Sequence, residues 1–238
     1  MIPSPFLGEF IGTALLIIMG AGVVANVVLS KTKGQNSGWI VITFGWAMAV
    51  FLGVYASNKL GGSGHLNPAV TIALSAFGDF DSSLLLTYIG AQLAGAFTGA
   101  VIAWVAYKQH FDETADKDLK LAVFATGPAI RNPLYNLLTE IIGTFILVFG
   151  ALTMSKSAQT LGALDALPVA LLVLGIGLAL GGPTGYAINP ARDLGPRIAH
   201  FVLPIKGKGG SDWSYSWIPV AGPVIGAMLA AFLSSKLM

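Results

Sequence analysis

The sequence predicts an all-α membrane protein: six transmembrane helices plus two re-entrant half-helices, arranged as an inverted repeat. Three observations carry that reading. The 238 residues are 55% hydrophobic and only 10% charged, with a mean hydropathy of +0.76, whereas soluble domains carry about 25% charged residues. Six stretches are apolar over roughly the 20 residues that a bilayer crossing needs. Finally, Asn-Pro-Ala occurs twice, as Asn67-Pro68-Ala69 and Asn189-Pro190-Ala191, each time after a glycine-rich run inside apolar sequence.

The elements follow in order. The first span covers about 6–29; the residues before it, Met1-Ile2-Pro3-Ser4-Pro5, have no basic stretch and no separable cleavage site, so it reads as a retained helix and not a signal peptide. The polar run Lys31-Thr32-Lys33-Gly34-Gln35-Asn36 separates it from a second span at about 39–57. Residues 61–77 are too short to cross and hold the first Asn-Pro-Ala. Asn before Pro before a helix former is an N-cap followed by Pro at the first helical position, so a half-helix begins at membrane depth, capped by Asn67. A third span (about 84–107), a charged run from Lys108 to Lys120, a fourth span (134–154), the polar break Ser155–Gln159 and a fifth span (166–181) come next. Residues 181–203 repeat the short motif-bearing segment, capped by Asn189, and a sixth span occupies about 216–236 after the break Lys206–Asp212.

The two halves, about 1–120 and 130–238, resemble one another within a single domain. Glu9-Phe10-Ile11-Gly12-Thr13 opens the first span and Glu140-Ile141-Ile142-Gly143-Thr144 lies early in the fourth. Each half has three spans, an odd number, so the second copy enters the membrane inverted, a plan common in transport proteins. Both termini then share a side with Lys59, Lys156 and Lys236. The other face carries Lys31, Lys33, Lys108, Lys117, Lys120, Arg131, Lys206 and Lys208, which by the positive-inside rule alone would put the termini outside.

Composition excludes several functions. The absence of cysteine removes disulfides, thiolate metal sites and a thiol nucleophile. His65, His110 and His200 are too scattered for an obvious metal site, no nucleophile–base pair can be assembled, and no basic tract suits nucleic acid. No cofactor is expected.

What remains is a pathway. The capping carboxamide oxygens of Asn67 and Asn189 accept backbone N–H groups, leaving their NH2 groups as donors beyond two positive helix ends. A passing water or hydroxyl presents its oxygen there, which breaks a proton-hopping chain, and cations meet a barrier. A lone Asn-Pro, such as Asn132-Pro133, reads as a loop turn. Extended backbone at membrane depth must line a cavity or be buried. The runs Gly62, Ser63, Gly64, His65, Leu66 and Pro183, Thr184, Gly185, Ala187, Ile188 therefore present a ladder of carbonyls opposite apolar walls, which suits a polyol. Gly12, Gly95 and Gly143 in the spans read as helix packing. Arg192, in the first turn of the second half-helix, is disfavoured there by the dipole, so it is a functional candidate; partnership with Asp193 or a loop carbonyl is the plainer alternative. Glu9 and Glu140 read as structural acceptors holding the loops.

These motifs, Ser63-Gly64-His65-Leu66-Asn67-Pro68-Ala69-Val70 and Gly185-Tyr186-Ala187-Ile188-Asn189-Pro190-Ala191-Arg192-Asp193, resemble those of the aquaporin family across essentially the whole chain. Asp193, Arg197 and Pro219-Val220 resemble the glycerol facilitator (aquaglyceroporin) branch. The resemblance implies a homotetramer in membrane lipid with cytoplasmic termini, and the compact ends point to a bacterial plasma membrane. It also implies a selectivity filter of Trp46, Gly177, Tyr186 and Arg192; a differently placed gap substitutes Ile42 for Trp46. Gly177 would leave room for a carbon backbone where water-selective members have His. Tyr186 departs from the branch's Phe; its ring should pack with Trp46, and its hydroxyl should reach the pore or a loop carbonyl. The function implied is passive passage of glycerol, water and small neutral solutes, with dihydroxyacetone, urea, hydrogen peroxide and undissociated lactic acid as further candidates. The rival is a proton-coupled secondary transporter using Glu9 or Glu140.

Overall fold

The computed structural model describes residues 3–154 and 160–238. The polar break at Ser155–Gln159 and the first two residues lie outside the described residues. Among the described residues the chain is helical with no strand, and six helices are long and apolar enough to cross a membrane.

Local sequence explains where each helix begins. In α1 (Pro5–Val28) Ser4 caps the end by accepting from the Leu7 N–H at 3.2 Å, with Pro5 in the first turn. Helix α2 (Trp39–Lys59) starts after Gly38, whose φ of 100° only glycine adopts readily. The first half-helix, α3 (Pro68–Phe77), is capped by Asn67. A single 3₁₀ turn capped by Asp81 leads into α4 (Leu85–Ala106).

The charged run that reads as mere punctuation in the sequence holds two short helices, α5 (Lys108–Glu113) and α6 (Lys117–Phe124). Asp116 caps α6 through the N–H groups of Asp118 and Leu119, while Val123 and Phe124 turn inward and are buried. Its charged residues mask that apolar face. Helix α7 (Pro133–Thr153) corrects a second expectation. Asn132-Pro133 is not a plain loop turn, because Asn132 accepts from the Tyr135 N–H at 3.2 Å and Pro133 opens the helix. Helix α8 (Leu167–Leu180) follows a 3₁₀ turn, α9 (Pro190–Val202) is the second half-helix, and α10 (Ile218–Leu237) closes the chain.

Helix α1 packs against α2 and α4, α7 packs against α10 and α8, and α2 meets α8. Each half-helix crosses to the other half of the chain as well: α3 lies against α10, and α9 against α4. Without water to drive helices together, close approach depends on small residues. A Cβ on Gly95 of α4 would sit 2.3 Å from the Phe10 carbonyl oxygen of α1, and one on Gly226 of α10 would sit 2.3 Å from that of Ile141 in α7. Large apolar side chains such as Leu86, Val105 and Leu134 face outward and are exposed, as a lipid-facing surface requires.

Gly226→Ala should therefore force α10 away from α7 and destabilise the protein by about 1–3 kcal/mol, the usual cost of overpacking. Thermal unfolding of the detergent-solubilised protein checks this; an unchanged midpoint would mean that the α7–α10 contact yields freely.

Candidate functional site

The site grows from two loops that hold unusual backbone. Leu66 (φ 52°), Tyr186 (φ 40°) and Ile188 (φ 43°) all occupy the positive-φ region, which is costly for any side chain and most costly for a β-branched one such as Ile188. Two buried carboxylates hold these segments. Glu9 accepts from the His65 N–H (3.1 Å), the Leu66 N–H (2.7 Å), the Ser57 hydroxyl (3.0 Å) and the Gln92 amide (2.8 Å). Glu140 accepts from the Ala187 N–H (3.0 Å), the Ile188 N–H (2.8 Å) and the Thr184 hydroxyl (2.7 Å). Successive N–H groups converge on a carboxylate, so the loop is fixed from behind.

The half-helix ends meet through their caps. Asn67 Oδ1 accepts from Ala69, and Asn189 Oδ1 accepts from Ala191 and Arg192. The NH2 groups are not wholly free donors. Asn67 Nδ2 donates to the Ile188 carbonyl and Asn189 Nδ2 to the Leu66 carbonyl, both at 2.8 Å. Each amide thus spends one hydrogen clasping the opposite loop and keeps one.

A cavity of about 360 Å³ runs past this junction. Ser63, Gly64, His65, Leu66 and Asn67 line it from the first loop, and Tyr186, Ala187, Ile188 and Asn189 from the second. Leu16, Val50, Val54, Leu147, Val169 and Val173 supply apolar walls, and Trp46 and Arg192 also reach it. Gly62, Pro183, Thr184 and Gly185, expected in the ladder, are not among its lining residues; they anchor the loops instead. The Gly62 N–H donates to the Ser57 carbonyl, the Pro183 carbonyl accepts from Ala129, Thr184 bonds Glu140, and the Gly185 N–H donates to the Gly181 carbonyl.

Arg192 is buried, with its guanidinium 4.1 Å from the centre of the Trp46 ring and one nitrogen donating to the Phe124 carbonyl at 3.1 Å. Asp193 is not its partner. That carboxylate takes the Arg197 guanidinium in two bonds (2.7 and 2.9 Å) and both the N–H and hydroxyl of Thr126. Arg197, fully buried, also donates to the carbonyls of Thr126, Ser211 and Asp212. The pair thereby ties the loops on both sides of α9 to its first turn, beside Arg192.

The aromatic corner differs from expectation. The aromatic partner of Tyr186 is Trp39, edge-on at 5.9 Å and 74°, rather than Trp46. Its hydroxyl is buried and has no protein partner among the described residues, so it reaches no loop carbonyl. Nor does Gly177 line the cavity: a Cβ there would lie 2.8 Å from Tyr186 Cζ and 2.9 Å from its hydroxyl. The room that glycine leaves is filled by the tyrosine ring.

Several contributors carry no sequence signal of their own. A Cβ on Gly20 would sit 2.1 Å from the Trp46 ring, so that glycine lets the indole lie against α1. The carbonyl of Phe124 lies in a run that reads as polar connection. Only the unusual density of small residues in α1 hints at the first, and nothing in the residue types hints at the second.

Six spanning helices around two half-helices, whose capped ends meet at a cavity, define a membrane pore protein. The family model described as "Major intrinsic protein" matches residues 4–234, and the chain belongs to that family. It is 57% identical to the probable glycerol uptake facilitator protein of Thermotoga maritima over 97% of each chain. It is also 52% identical to glycerol uptake facilitator protein 3 of Lactiplantibacillus plantarum, covering 97% of this chain and 95% of that one. The solved structure of the aquaglyceroporin from Plasmodium falciparum is similar with a TM-score of 0.85 and 32% identity, covering 98% of this chain and 95% of that one. The chain is thus a transport protein and not an enzyme.

Removing Asp193 strands a buried guanidinium, so Asp193→Ala should cost about 3–5 kcal/mol. The double change Asp193→Leu with Arg197→Met should cost less than the single one. Thermal unfolding of the three proteins decides it; a double variant as unstable as the sum of its parts would mean the two residues do not act as a pair.

Proposed function

We propose that the chain is a passive channel that carries glycerol, with water and other small neutral solutes, across a bacterial plasma membrane. The observation that carries this reading is the two-sided cavity. Loop backbone and the Asn67 and Asn189 caps line part of it, apolar side chains face them, and Arg192 over Trp46 stands at one point along it. A polyol has hydroxyls on one edge and carbon on the other, and matches both surfaces. The names borne by relatives at 57% and 52% identity support glycerol in particular.

In this mechanism a hydroxyl oxygen takes donors from the Arg192 guanidinium while its carbons lie on the rings of Trp46 and Tyr186. Gly177 belongs to the filter indirectly, by housing the Tyr186 ring. Past it, the solute meets the remaining amide hydrogens of Asn67 and Asn189 and the positive ends of α3 and α9. Cations are refused at both points. Dihydroxyacetone, urea, hydrogen peroxide and undissociated lactic acid fit the same limits of size and neutrality.

Coupling to protons is the weaker reading, because Glu9 and Glu140 are fully engaged by the loops and no carboxylate among the described residues lines the cavity. The same reading takes the chain as one channel unit of two inverted repeats, about 1–120 and 130–238. Four such chains assemble in lipid with their termini in the cytoplasm.

Stopped-flow light scattering on proteoliposomes, with water, glycerol and dihydroxyacetone in turn, tests the function directly. A glycerol flux no greater than that of empty vesicles, or one dependent on a pH gradient, would overturn it.

Arg192→Ala should admit protons or small cations while glycerol flux changes by less than about tenfold, because a point charge excludes ions far more strongly than it binds a neutral solute. Equal bilayer conductance of variant and parent would show that Arg192 is not the charge gate.

Gly177→His should drive the Tyr186 ring into the passage, so glycerol permeability should fall well beyond water permeability. Tyr186→Ala in the same chain should restore much of the loss. Equal loss for both solutes, unrelieved by the second change, would mean the position acts on folding alone.

A further inference from the structure

We propose that Trp39 sets the width of the passage as a positioning residue, by holding the Tyr186 ring against α8. The inference rests on the channel reading above and assigns a specificity-determining role to a residue outside the cavity lining.

Trp39 opens α2 and is 41% exposed. A tryptophan near the end of a membrane helix commonly turns its N–H toward the lipid headgroups. This one turns it inward: Nε1 donates to the Gly177 carbonyl of α8 at 3.0 Å. The edge-on contact with Tyr186 is made by the same indole. A Cβ on Gly181 would lie 2.6 Å from Trp39 Cζ2 and 2.7 Å from Tyr186 Cδ1, so that glycine makes room for both rings at once. Gly177 and Gly181 lie one turn apart and form the surface on which Tyr186 rests.

Tyr186 cannot fix its own position. Its hydroxyl has no protein partner, and its backbone sits at φ 40°. The ring is therefore placed by packing alone, between the two glycines and the indole edge. Of these walls only Trp39 is a movable side chain, and only it carries a directional bond. If the indole is lost, the ring can relax outward into the vacated space, away from the cavity that it lines. The passage should widen.

The test compares the parent, Trp39→Phe, Trp39→Leu, Tyr186→Ala and the double variant Trp39→Leu with Tyr186→Ala, all in proteoliposomes. Glycerol and the longer polyol erythritol are the probes. Trp39→Leu should raise the erythritol-to-glycerol permeability ratio by roughly tenfold, the scale on which one methylene of room discriminates between solutes. Trp39→Phe keeps an aromatic edge but loses the N–H, and should raise the ratio less. In the Tyr186→Ala background, Trp39→Leu should leave the ratio unchanged, an outcome that a general loss of stability would not produce. A parental ratio in Trp39→Leu, or the same rise with and without Tyr186, would overturn the proposal. Should Trp39→Leu fail to insert, a parental ratio in Trp39→Phe would do so. A parent that passes neither solute would bring down the channel reading first, and this inference with it.

Discussion

Two buried carboxylates determine the rest of the architecture. A chain that enters a membrane and turns back must leave helical backbone unpaired at depth, where each orphan group is costly. Glu9 and Glu140 collect the N–H groups of residues 65–66 and 187–188. Each carboxylate is satisfied by these bonds and by neighbouring hydroxyl or amide donors, which is the condition for burying such a group at all. In return the loop backbone is held at positive φ, a conformation that Leu66 and Ile188 would not keep unaided. The N–H edge of each loop faces the carboxylate, which leaves the opposite edge to the cavity.

The same constraint joins the halves. With the loops fixed, the carbonyls of Leu66 and Ile188 are available to the opposite asparagine, and the two Nδ2 bonds form a reciprocal clasp. Packing repeats the exchange, since α3 lies on α10 and α9 on α4. A single helix displaced from this set would disturb both loops. The close glycine contacts between α1 and α4 and between α7 and α10 are therefore part of the site's support as well as the fold's.

The spans and half-helix starts were legible because hydropathy and capping are local: twenty apolar residues or an Asn-Pro pair carry their meaning alone. Helices α5 and α6 were not, because one buried face of two residues is drowned by surrounding charge. Asn132 was misjudged for a related reason. A cap and a turn share the same dipeptide, and only the following helix tells them apart. At the cavity, residue identity was legible and pairing was not. Tyr186 could be placed at the corner from its distance to the second motif, yet its partner Trp39 comes from another helix and carries no motif. Gly177 could be read as space, but what fills that space depends on the neighbouring loop.

The repeat supplies the scaffold, and the departures from it supply the chemistry. Asn67-Pro68-Ala69 is followed by Val70, and Asn189-Pro190-Ala191 by Arg192. Both side chains line the cavity, one apolar and one charged. The next positions diverge as well. Thr71 accepts from the Gln92 amide and serves the first loop, whereas Asp193 binds Arg197 and Thr126 and anchors the outer connections. A guanidinium in a positive first turn needs an opposing field, and the carboxylate one residue on supplies it without touching it. Since Asp193 is already saturated by Arg197 and Thr126, it does not capture Arg192, whose charge stays turned to Trp46 and the passage. A symmetric pair of such arginines would place two like charges at either end of one short cavity and double the desolvation cost. One arginine on one side, held by an acid committed elsewhere, is the arrangement that excludes cations and still leaves the other half of the path apolar enough for carbon.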